Sequence, residues 1–400
     1  MAIARKTNPE TPHTPLPGSE RNVLVLQGGG ALGAYQGGTF EQLALAGHNM
    51  DWVAGISIGA INAALICGNP PADRVSRLRA FWEGITANVT LQPFFGLAGL
   101  GLPGFDLSLY GVPGSRSFFN EIAANVAITF GAPGFFAPRF PWAGLTSTGA
   151  LRGTSFYDTE PLRDTLKRLV DFDYLNTHGP RLSVGAVEVD TGNFRYFDSR
   201  EMRIEPEHIM ASGALPPGFP AVQIAGRQYW DGGLVSNTPL QYVLENAGTD
   251  PLLVFQVDLF SARGALPTTL SEVDQREKDI RFSSRTRLTT DRFRQLHAVR
   301  AAADRLAAKL GPEMANDPDL ALLQSAGPNC PVTLVHLIHR GEEFEGANKD
   351  YEFSRLSMDQ HWKLGRHDVK QTFAHKAWRH RTITADALRI FDLGAMPDDV

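Results

Sequence analysis

Short apolar runs alternate with longer amphipathic stretches in the first part of the chain. The run at 22–27 is rich in β-forming residues and stops at a glycine triplet, and a second run at 51–56 leads into an apolar helical pattern at 58–67. Between the two runs, apolar residues recur at helical spacing from Leu32 to Leu43. This strand–helix alternation predicts an α/β fold with a mainly parallel central sheet.

Two glycines interrupt the first predicted helix. Gly37 and Gly38 each cost about 1 kcal/mol relative to alanine in a helix interior. We expect close packing of this helix against another backbone, because such a contact would offset the cost.

The second half of the chain contains a hairpin, two further strands and a charged helical region. The hairpin is predicted at 182–198, with its turn at 190–193, and a buried strand follows at 252–259. From 272 to 310 the pattern is charged and helical, and a last strand is predicted at 332–338 before further helices. We therefore place a boundary near residue 262 and predict a mostly helical C-terminal extension over 262–400.

The helical region at 272–310 is unusually basic. It contains ten basic and four acidic residues between Arg276 and Lys309, a balance of +6. Its predicted apolar stripe consists of Leu288, Phe293, Leu296, Val299 and Leu306. Charge runs on helices usually face solvent or an acidic neighbour in the same chain, which is the interpretation favoured here, with anionic lipid as the alternative.

Residues 88–149 differ in character from the rest of the chain. These 62 residues include nine Phe, ten Gly and six Pro but only four charged residues, where the chain average of 20% predicts about twelve. Phenylalanine doublets occur at 94–95, 118–119 and 135–136. The stretch is interpreted as an insertion packed on the domain, with a lid over an apolar pocket as the alternative.

Composition and charge exclude several classes of protein. A chain of 400 residues with 43% hydrophobic residues can bury a large core, and a net charge of −5 gives no sign of nucleic-acid binding. The two cysteines, Cys67 and Cys330, exclude a disulfide framework and a zinc site built from thiolates. Residues 1–20 contain four prolines and no apolar core, so a flexible tail without a secretory signal is expected. The best candidate membrane span, at 52–68, contains glycine, serine and asparagine, so a buried strand and helix are expected there instead. The expected location is cytoplasmic, with peripheral membrane contact left open.

The segment Gly55-Ile56-Ser57-Ile58-Gly59 matches the pattern G-x-S-x-G. A nucleophilic serine requires a tight strand-to-helix turn that exposes its hydroxyl, and the helix that follows directs its N-terminal amides to the same place. The apolar strand before Ser57 and the apolar helix after it provide that context. A nucleophile elbow is the favoured interpretation, and an ordinary strand–helix turn is the alternative.

The glycine-rich turn at 28–33 also follows a strand and precedes a helix. Its pattern suits either an oxyanion hole or the cradle for a dinucleotide pyrophosphate. A dinucleotide site requires an acid at the end of the second strand, but Asp51 begins that strand and Ser57 follows its end. We therefore expect the two glycine turns to share the carboxyl edge of neighbouring strands, as an oxyanion hole and a nucleophile would.

A third candidate is Asp231, which follows Tyr229 and Trp230 and precedes Gly232 and Gly233. An aspartate before two glycines usually marks a turn. The aromatic pair, however, indicates that the carboxylate emerges from a buried environment, where its pKa would rise and it would become a better base.

Together these motifs resemble the patatin-like phospholipases. The likeness covers about residues 22–260 and rests on the glycine loop, the elbow, the proline-rich stretch through Phe219-Pro220, and the D-G-G turn followed by Asn237 and Pro239. It implies a three-layer α/β/α hydrolase over 21–261, in which Ser57 is the nucleophile and Asp231 the base, without a histidine. The oxyanion-hole residues it implies are Gly28, Gly29, Gly30 and Ala31, and the remaining motif positions are Gly33, Gly55, Gly59, Gly232 and Gly233.

The resemblance implies a serine acyl hydrolase acting on lipid esters, of phospholipase A or esterase type, without a cofactor. The expected partner is a lipid or ester substrate, and the oligomeric state stays open. One alternative is a Ser-Asp-His hydrolase acting on another ester, such as a storage polyester, and another is a nucleotide-binding or non-catalytic lipid-binding module. Nine histidines follow Ser57 in the chain and none lies in a recognisable motif, so no metal site is predicted.

Overall fold

A computed structural model describes most of the chain. The described residues are 20–86, 115–139, 154–310, 317–325, 330–341, 345–346, 348–381 and 388–393. Except for Glu20, the predicted tail therefore lies outside the described residues.

A sheet of nine strands forms the centre of the molecule. Its order is β11-β10-β9-β1-β2-β5-β8-β7, with β6 paired to β5, and all neighbours from β11 to β5 are parallel. The bounds of these strands are Arg21–Leu26 (β1), Trp52–Gly55 (β2), Arg181–Glu188 (β5), Phe194–Asp198 (β6), Val222–Ile224 (β7), Arg227–Asp231 (β8), Leu252–Asp258 (β9), Val332–Ile338 (β10) and Leu388–Phe391 (β11). A separate antiparallel pair consists of Ala137–Pro138 (β3) and Tyr157–Asp158 (β4).

Helices cover both faces of the sheet. Along β1, Leu24 and Leu26 join one buried apolar cluster, whereas Val23 and Val25 join a second cluster on the opposite face. Both faces are buried, as in other sheets built mainly from parallel strands, and the molecule has three layers. The helices are Ala34–Leu45 (α1), Ile58–Cys67 (α2), Arg74–Ile85 (α3), Ser115–Phe130 (α4), Glu160–Leu169 (α5), Phe172–Thr177 (α6), Pro206–Ser212 (α7), Leu240–Glu245 (α8), Leu270–Phe282 (α9), Thr286–Leu310 (α10), Pro318–Gln324 (α11), Arg355–Ala374 (α12) and Lys376–Arg379 (α13).

The α/β architecture with a mainly parallel sheet is confirmed, and the predicted strands lie within one or two residues of those observed. The helical region at 272–310 is instead two helices, separated at 283–285. The Ser283 hydroxyl donates to the Ile280 carbonyl at 2.8 Å, and the Ser284 hydroxyl donates to Asp258 at 2.5 Å. Ser283 is extended, with φ −61° and ψ 153°, so α9 ends there. Its hydroxyl satisfies a carbonyl of the last helical turn, and the Ser284 hydroxyl anchors the linker to the end of β9.

The predicted apolar stripe of this region is only partly covered. Phe293 is 4% exposed and packs against α8, whereas Leu288 is 67% exposed and Val299 and Leu306 are nearly half exposed. None of the residues of α9 is buried.

The glycines of α1 allow a close contact with α12, as expected from their position in a helix interior. A Cβ atom at Gly38 would lie 1.9 Å from the backbone oxygen of Trp362, and one at Gly37 would lie 2.3 Å from its ring. On the other helix, a Cβ at Gly365 would lie 2.1 Å from the Tyr35 carbonyl oxygen. The backbones of α1 and α12 therefore approach each other closely because each helix has glycine at the contact.

The region beyond residue 262 is built into the same sheet as the rest. Strand β10 pairs with β9 over seven residues, and β11 pairs with β10. The domain boundary near 262 stays a prediction, and the described part of 262–400 is mostly helical with these two added strands.

Of the stretch at 88–149, only residues 115–139 are described. Phe135 and Phe136 are 7% and 3% exposed and pack against Phe219 and Phe353. The doublet at 94–95 lies outside the described residues, as do the side chains at 118–119. The choice between a packed insertion and a lid therefore stays a prediction.

In the part of the chain that the structure describes, no helix combines the length and the apolar character needed to cross a bilayer.

Candidate active site

The register of the sheet brings Ser57 and Asp231 to the same level. Gly55, two residues before Ser57, pairs with Val184 on β5, and Asp231 pairs with Ala186 on the other side of that strand. Because β1 and β2 are parallel neighbours, the glycine turn after β1 lies at the same edge. The expected shared edge of the two glycine turns is confirmed.

Ser57 occupies a strained turn between β2 and α2. Its backbone has φ 55° and ψ −123°, a conformation that residues other than glycine rarely adopt. The Ser57 N–H donates to the Ser212 hydroxyl at 3.1 Å, and that hydroxyl donates to the Gly185 carbonyl at 2.7 Å. The strain is thus held by buried contacts from two other elements, which is common at functional sites.

The two outer positions of G-x-S-x-G must be glycine because the turn is crowded. A Cβ at Gly55 would lie 2.3 Å from the Gly59 carbonyl oxygen, and a Cβ at Gly59 would lie 2.4 Å from the Leu26 carbonyl oxygen. The small residues let α2 begin directly against the ends of β1 and β2, so its N-terminal amides face the edge where Ser57 lies.

Asp231 ends β8 and is 2% exposed. Burial raises the pKa of its carboxyl group to about 7, against the lowering effect of hydrogen bonds from the Ser57 side chain and the Gly233 amide. The Gly233 N–H donates to Asp231 Oδ1 at 2.7 Å. The carboxylate is therefore oriented toward Ser57 and can take up a proton near neutral pH.

The amides of the glycine loop are not equivalent. The Gly28 N–H donates to the Asn237 carbonyl at 3.2 Å, so this amide is already engaged, although Gly28 was predicted as part of the oxyanion hole. Gly30 has φ 56°, and a Cβ there would lie 2.2 Å from the Asp350 carbonyl oxygen. A chain segment near residue 350 therefore lies directly against the loop.

A cavity of about 280 Å³ opens beside these residues. Its lining is mainly apolar and aromatic, and it includes side chains from both halves of the chain. Aromatic and aliphatic members include Ile58, Ile61, Phe135, Phe136, Phe156, Tyr157, Leu215, Phe219, Phe260, Phe282, Tyr351 and Phe353. Among the described residues of this lining there is no lysine or arginine. Such a cavity suits an apolar group better than an anionic one.

Only some of the predicted site residues line the cavity. Gly28, Gly29, Gly30, Ser57, Asp231 and Gly233 line it, whereas Ala31, Gly33, Gly55, Gly59 and Gly232 lie in the surrounding turns. Sequence reasoning missed Ser212, which holds the Ser57 amide, and the wall formed by Asp350, Tyr351 and Phe353. Ser212 lies in the small-residue stretch before Pro216, but the wall comes from the C-terminal region and carries no local signal.

Within the described lining of the cavity there is no histidine. His336 instead pairs with Asp258, His208 bonds to the Glu205 amide at 2.9 Å, and His361 contacts Glu345. Asp51 accepts a hydrogen bond from the Asn22 amide at 2.8 Å, at the edge of the sheet opposite Ser57. Within the described lining, a Ser-Asp-His arrangement thus lacks its histidine. A dinucleotide site lacks its acid, because Asp51 lies at the opposite edge of the sheet.

Two protein-family models match this chain. A family model described as patatin-like phospholipase matches residues 24–244, more than half of the chain, and a second, described as patatin phospholipase, matches residues 280–384. No curated protein sequence gives a significant match.

Solved structures show more distant likeness. VipD from Legionella pneumophila is 14% identical, with a TM-score of 0.35, over 87% of this chain and 67% of that one. Full-length ExoU from the type III secretion system of Pseudomonas aeruginosa, in complex with SpcU, is 15% identical, with a TM-score of 0.25, over 68% of this chain. The match covers 51% of the ExoU chain, so this chain spans about half of its length.

Proposed function

Because the chain belongs to the patatin-like phospholipase family, we propose that it cleaves carboxylic esters of lipids with Ser57 as nucleophile and Asp231 as base. The observation that carries this proposal is the pairing of a half-buried serine in a strained turn with a carboxylate of 2% exposure, beside an apolar cavity. Burial raises the pKa of Asp231 to about 7, which suits a general base that must work near neutral pH.

In the proposed reaction, Asp231 accepts the hydroxyl proton of Ser57 while Ser57 Oγ attacks the ester carbonyl carbon. The tetrahedral intermediate collapses to an acyl-enzyme, and the leaving alkoxide takes the proton from Asp231. Water then attacks the acyl-enzyme, giving its proton to Asp231, which returns it to Ser57 Oγ as the fatty acid leaves. A single carboxylate thus serves as base and acid in both halves of the reaction.

We assign the oxyanion hole to the amides of Gly29, Gly30 and Ala31. The Gly28 amide is engaged by Asn237, whereas the next three residues open the short 3-10 turn that precedes α1. The N-terminus of α2 adds a partial positive charge at the same edge. Both features favour negative charge developing on the carbonyl oxygen.

The acyl chain is the part of the substrate that the cavity fits. Apart from Asp231 and Asp350, the described lining carries no charged side chain, and Asp350 is paired with Lys278. A phosphate group would lose its hydration there without gaining a partner. A phospholipid would therefore bind with its acyl chain inside and its head group outside.

We add peripheral contact with a lipid surface to the proposal, in place of the solvated interpretation that the charge pattern of the basic region favours by itself. On α10, Leu288, Val299 and Leu306 are exposed and fall within about 20° of one another on the helical wheel. The same region carries the +6 balance between Arg276 and Lys309. Exposed apolar side chains among basic ones favour an anionic bilayer, so flotation with vesicles should increase with anionic lipid and fall with salt.

Labelling with a fluorophosphonate probe, combined with hydrolysis of short p-nitrophenyl esters and of phospholipids, tests the assignment. Ser57→Ala should lose labelling and hydrolysis but still fold, with the free energy of unfolding lowered by about 1–3 kcal/mol because the buried Asp231 carboxyl loses a hydrogen bond. Asp231→Asn should be as damaging, and His336→Ala, which alters a pair outside the cavity, is the control. A folded Ser57→Ala protein that still hydrolyses esters would refute the proposal.

A further inference from the structure

A buried cluster of two histidines and one glutamate lies outside the cavity. His339 directly follows β10, Glu345 lies in the loop after it, and His361 belongs to α12. Their exposed fractions are 3%, 7% and 3%. Three separate chain segments thus bring potential metal ligands together in the interior.

The ligand atoms converge on one point. Glu345 Oε1 lies 2.9 Å from His339 Nε2 and 3.1 Å from His361 Nε2, and one ligand atom from each residue lies within 4.8 Å of the others. Around a tetrahedral zinc ion with bonds of about 2.0–2.1 Å, ligand atoms are separated by about 3.3 Å. The two distances from Glu345 to the histidines therefore differ by only a few tenths of an ångström from those around such an ion.

Room for a further ligand exists beside the cluster. A small cavity of about 20 Å³ is bordered by Glu345 and His361, together with Asn348 and Ser357. This volume suffices for one water molecule with polar neighbours. Three protein ligands and one water would complete a four-coordinate site.

The charge of the cluster also favours a cation. The Glu345 side chain is buried in the interior, and its Oε1 atom faces the Nε2 atoms of both histidines. A carboxylate at this depth requires a positive partner. An imidazolium could provide it, but a divalent ion would satisfy the carboxylate and both imidazoles in their neutral, metal-binding form.

We propose that His339, Glu345 and His361 bind one divalent transition-metal ion, with Zn²⁺ as the best match to two imidazoles and a carboxylate. This ion has a structural role. It joins the end of β10 and the helix α12 to Glu345, five residues before Asp350, which forms one wall of the cavity with Tyr351 and Phe353.

Two ion pairs also anchor this wall. Lys349 Nζ lies 2.8 Å from Asp279, and Lys278 pairs with Asp350, so the wall is tied to α9 from one side. The proposed ion would tie it from the other side. The metal site does not depend on the proposed ester hydrolysis, because binding is measured directly.

The experiment measures metal content in the full chain. After stripping with a chelator and adding Zn²⁺, Fe²⁺, Mn²⁺ or Mg²⁺ separately, plasma mass spectrometry of the desalted protein should find about one equivalent of Zn²⁺ and no retained Mg²⁺. Isothermal titration with Zn²⁺ should give one site, and the thermal midpoint should rise with Zn²⁺ concentration.

Variants distinguish the loss of metal binding from a loss of folding. Glu345→Gln and His361→Gln should lose the retained Zn²⁺ and the Zn²⁺-dependent rise in midpoint. His361→Gln keeps a hydrogen-bond donor to Glu345, so it preserves the alternative hydrogen-bonded cluster. The matched control is His336→Ala, three residues from His339, where a histidine contacts Asp258 without a second histidine, and it should retain one equivalent.

Two results would overturn the proposal. Wild-type protein that retains none of these ions would leave the three residues as a hydrogen-bonded ion pair. Retention of one equivalent in correctly folded Glu345→Gln and His361→Gln would place the ion elsewhere.

Discussion

At the scale of single residues, burial determines what Asp231 can do. A carboxyl group with its ordinary pKa near 3.8 is a weak base at neutral pH, whereas desolvation in this position raises the pKa to about 7. Because the change depends on solvent exclusion, it is produced by the residues that surround Asp231 and not by Asp231 itself.

The first prediction concerns the pH dependence of hydrolysis. Since only the ionised carboxylate can accept the Ser57 proton, kcat/KM for an uncharged ester should rise with pH and level off above a midpoint near pH 7. Initial rates between pH 5 and 9, followed at a wavelength insensitive to product ionisation, measure this. A profile that stays flat from pH 5 to 9 would show that Asp231 is not the titrating base.

The second prediction concerns stability. A group whose pKa is higher in the folded than in the unfolded protein stabilises the fold fully below its unfolded pKa, and this contribution is lost as pH rises toward the folded pKa. Between about pH 4 and 7, the Asp231 carboxyl group is ionised in the unfolded chain but still protonated in the fold. The free energy of unfolding should therefore fall by up to about 1.4 kcal/mol for each pH unit. In Asp231→Asn this pH-dependent loss of stability should be absent, because the asparagine side chain does not ionise.

Thermal unfolding of wild type and Asp231→Asn at pH 5 and pH 8 measures the effect. The variant should gain stability relative to wild type as pH rises, even though it is inactive. An equal difference at both pH values would mean that the carboxyl group titrates normally in the fold.

At the scale of elements, glycine contacts decide how the C-terminal region joins the rest. The close approach of α1 and α12 depends on Gly37, Gly38 and Gly365, and it places the buried Trp362 against α1. The Tyr35 hydroxyl also donates to Asp368 at 2.6 Å, and Trp362 donates to Glu41 at the same interface. The two helices therefore form one packed unit although more than 300 residues separate them in sequence.

The third prediction uses this contact. Gly38→Ala places a methyl group 1.9 Å from the Trp362 carbonyl oxygen, so it should lower the free energy of unfolding by about 3 kcal/mol or more. The matched control is Gly84→Ala in α3, where a Cβ would meet nothing within 4 Å. That substitution should raise stability by about 0.5–1 kcal/mol, because alanine is the better helix former. Denaturant unfolding that ranks Gly38→Ala at or above the wild type would contradict the close contact.

At the scale of the whole molecule, one sheet runs through both parts of the chain. Strand β9 lies between β1 and β10, so its outer edge is covered only by residues from beyond 262. The cavity has the same dual origin, because Ser57 and Asp231 face a wall that includes Tyr351 and Phe353.

The fourth prediction follows from this shared construction. A fragment of residues 1–261 would expose the edge of β9 and the glycine face of α1, so it should be recovered as aggregated protein without a cooperative unfolding transition. Deleting residues 1–18, which the sequence predicts as a tail, is the control and should leave the thermal midpoint unchanged. A soluble, cooperatively unfolding 1–261 fragment would support independent folding of the first 261 residues.

Local pattern determined a large part of this protein. Strand and helix positions, the elbow at Ser57, the glycine turn and the buried setting of Asp231 follow from periodicity, propensity and spacing within short windows. The break at 283–285 did not, because its linker is anchored by a hydrogen bond between Ser284 and Asp258, which lies on another element.

Only the tertiary structure decided which distant residues meet. It engages the Gly28 amide with Asn237, places Tyr351 and Phe353 beside Ser57, and gathers His339, Glu345 and His361 into one cluster, whereas the sequence predicted no metal site. The physical reason is that a hydrogen bond or a ligand shell depends on distances of about 3 Å in space, and spacing along the chain fixes those distances only within a single helix, strand or turn.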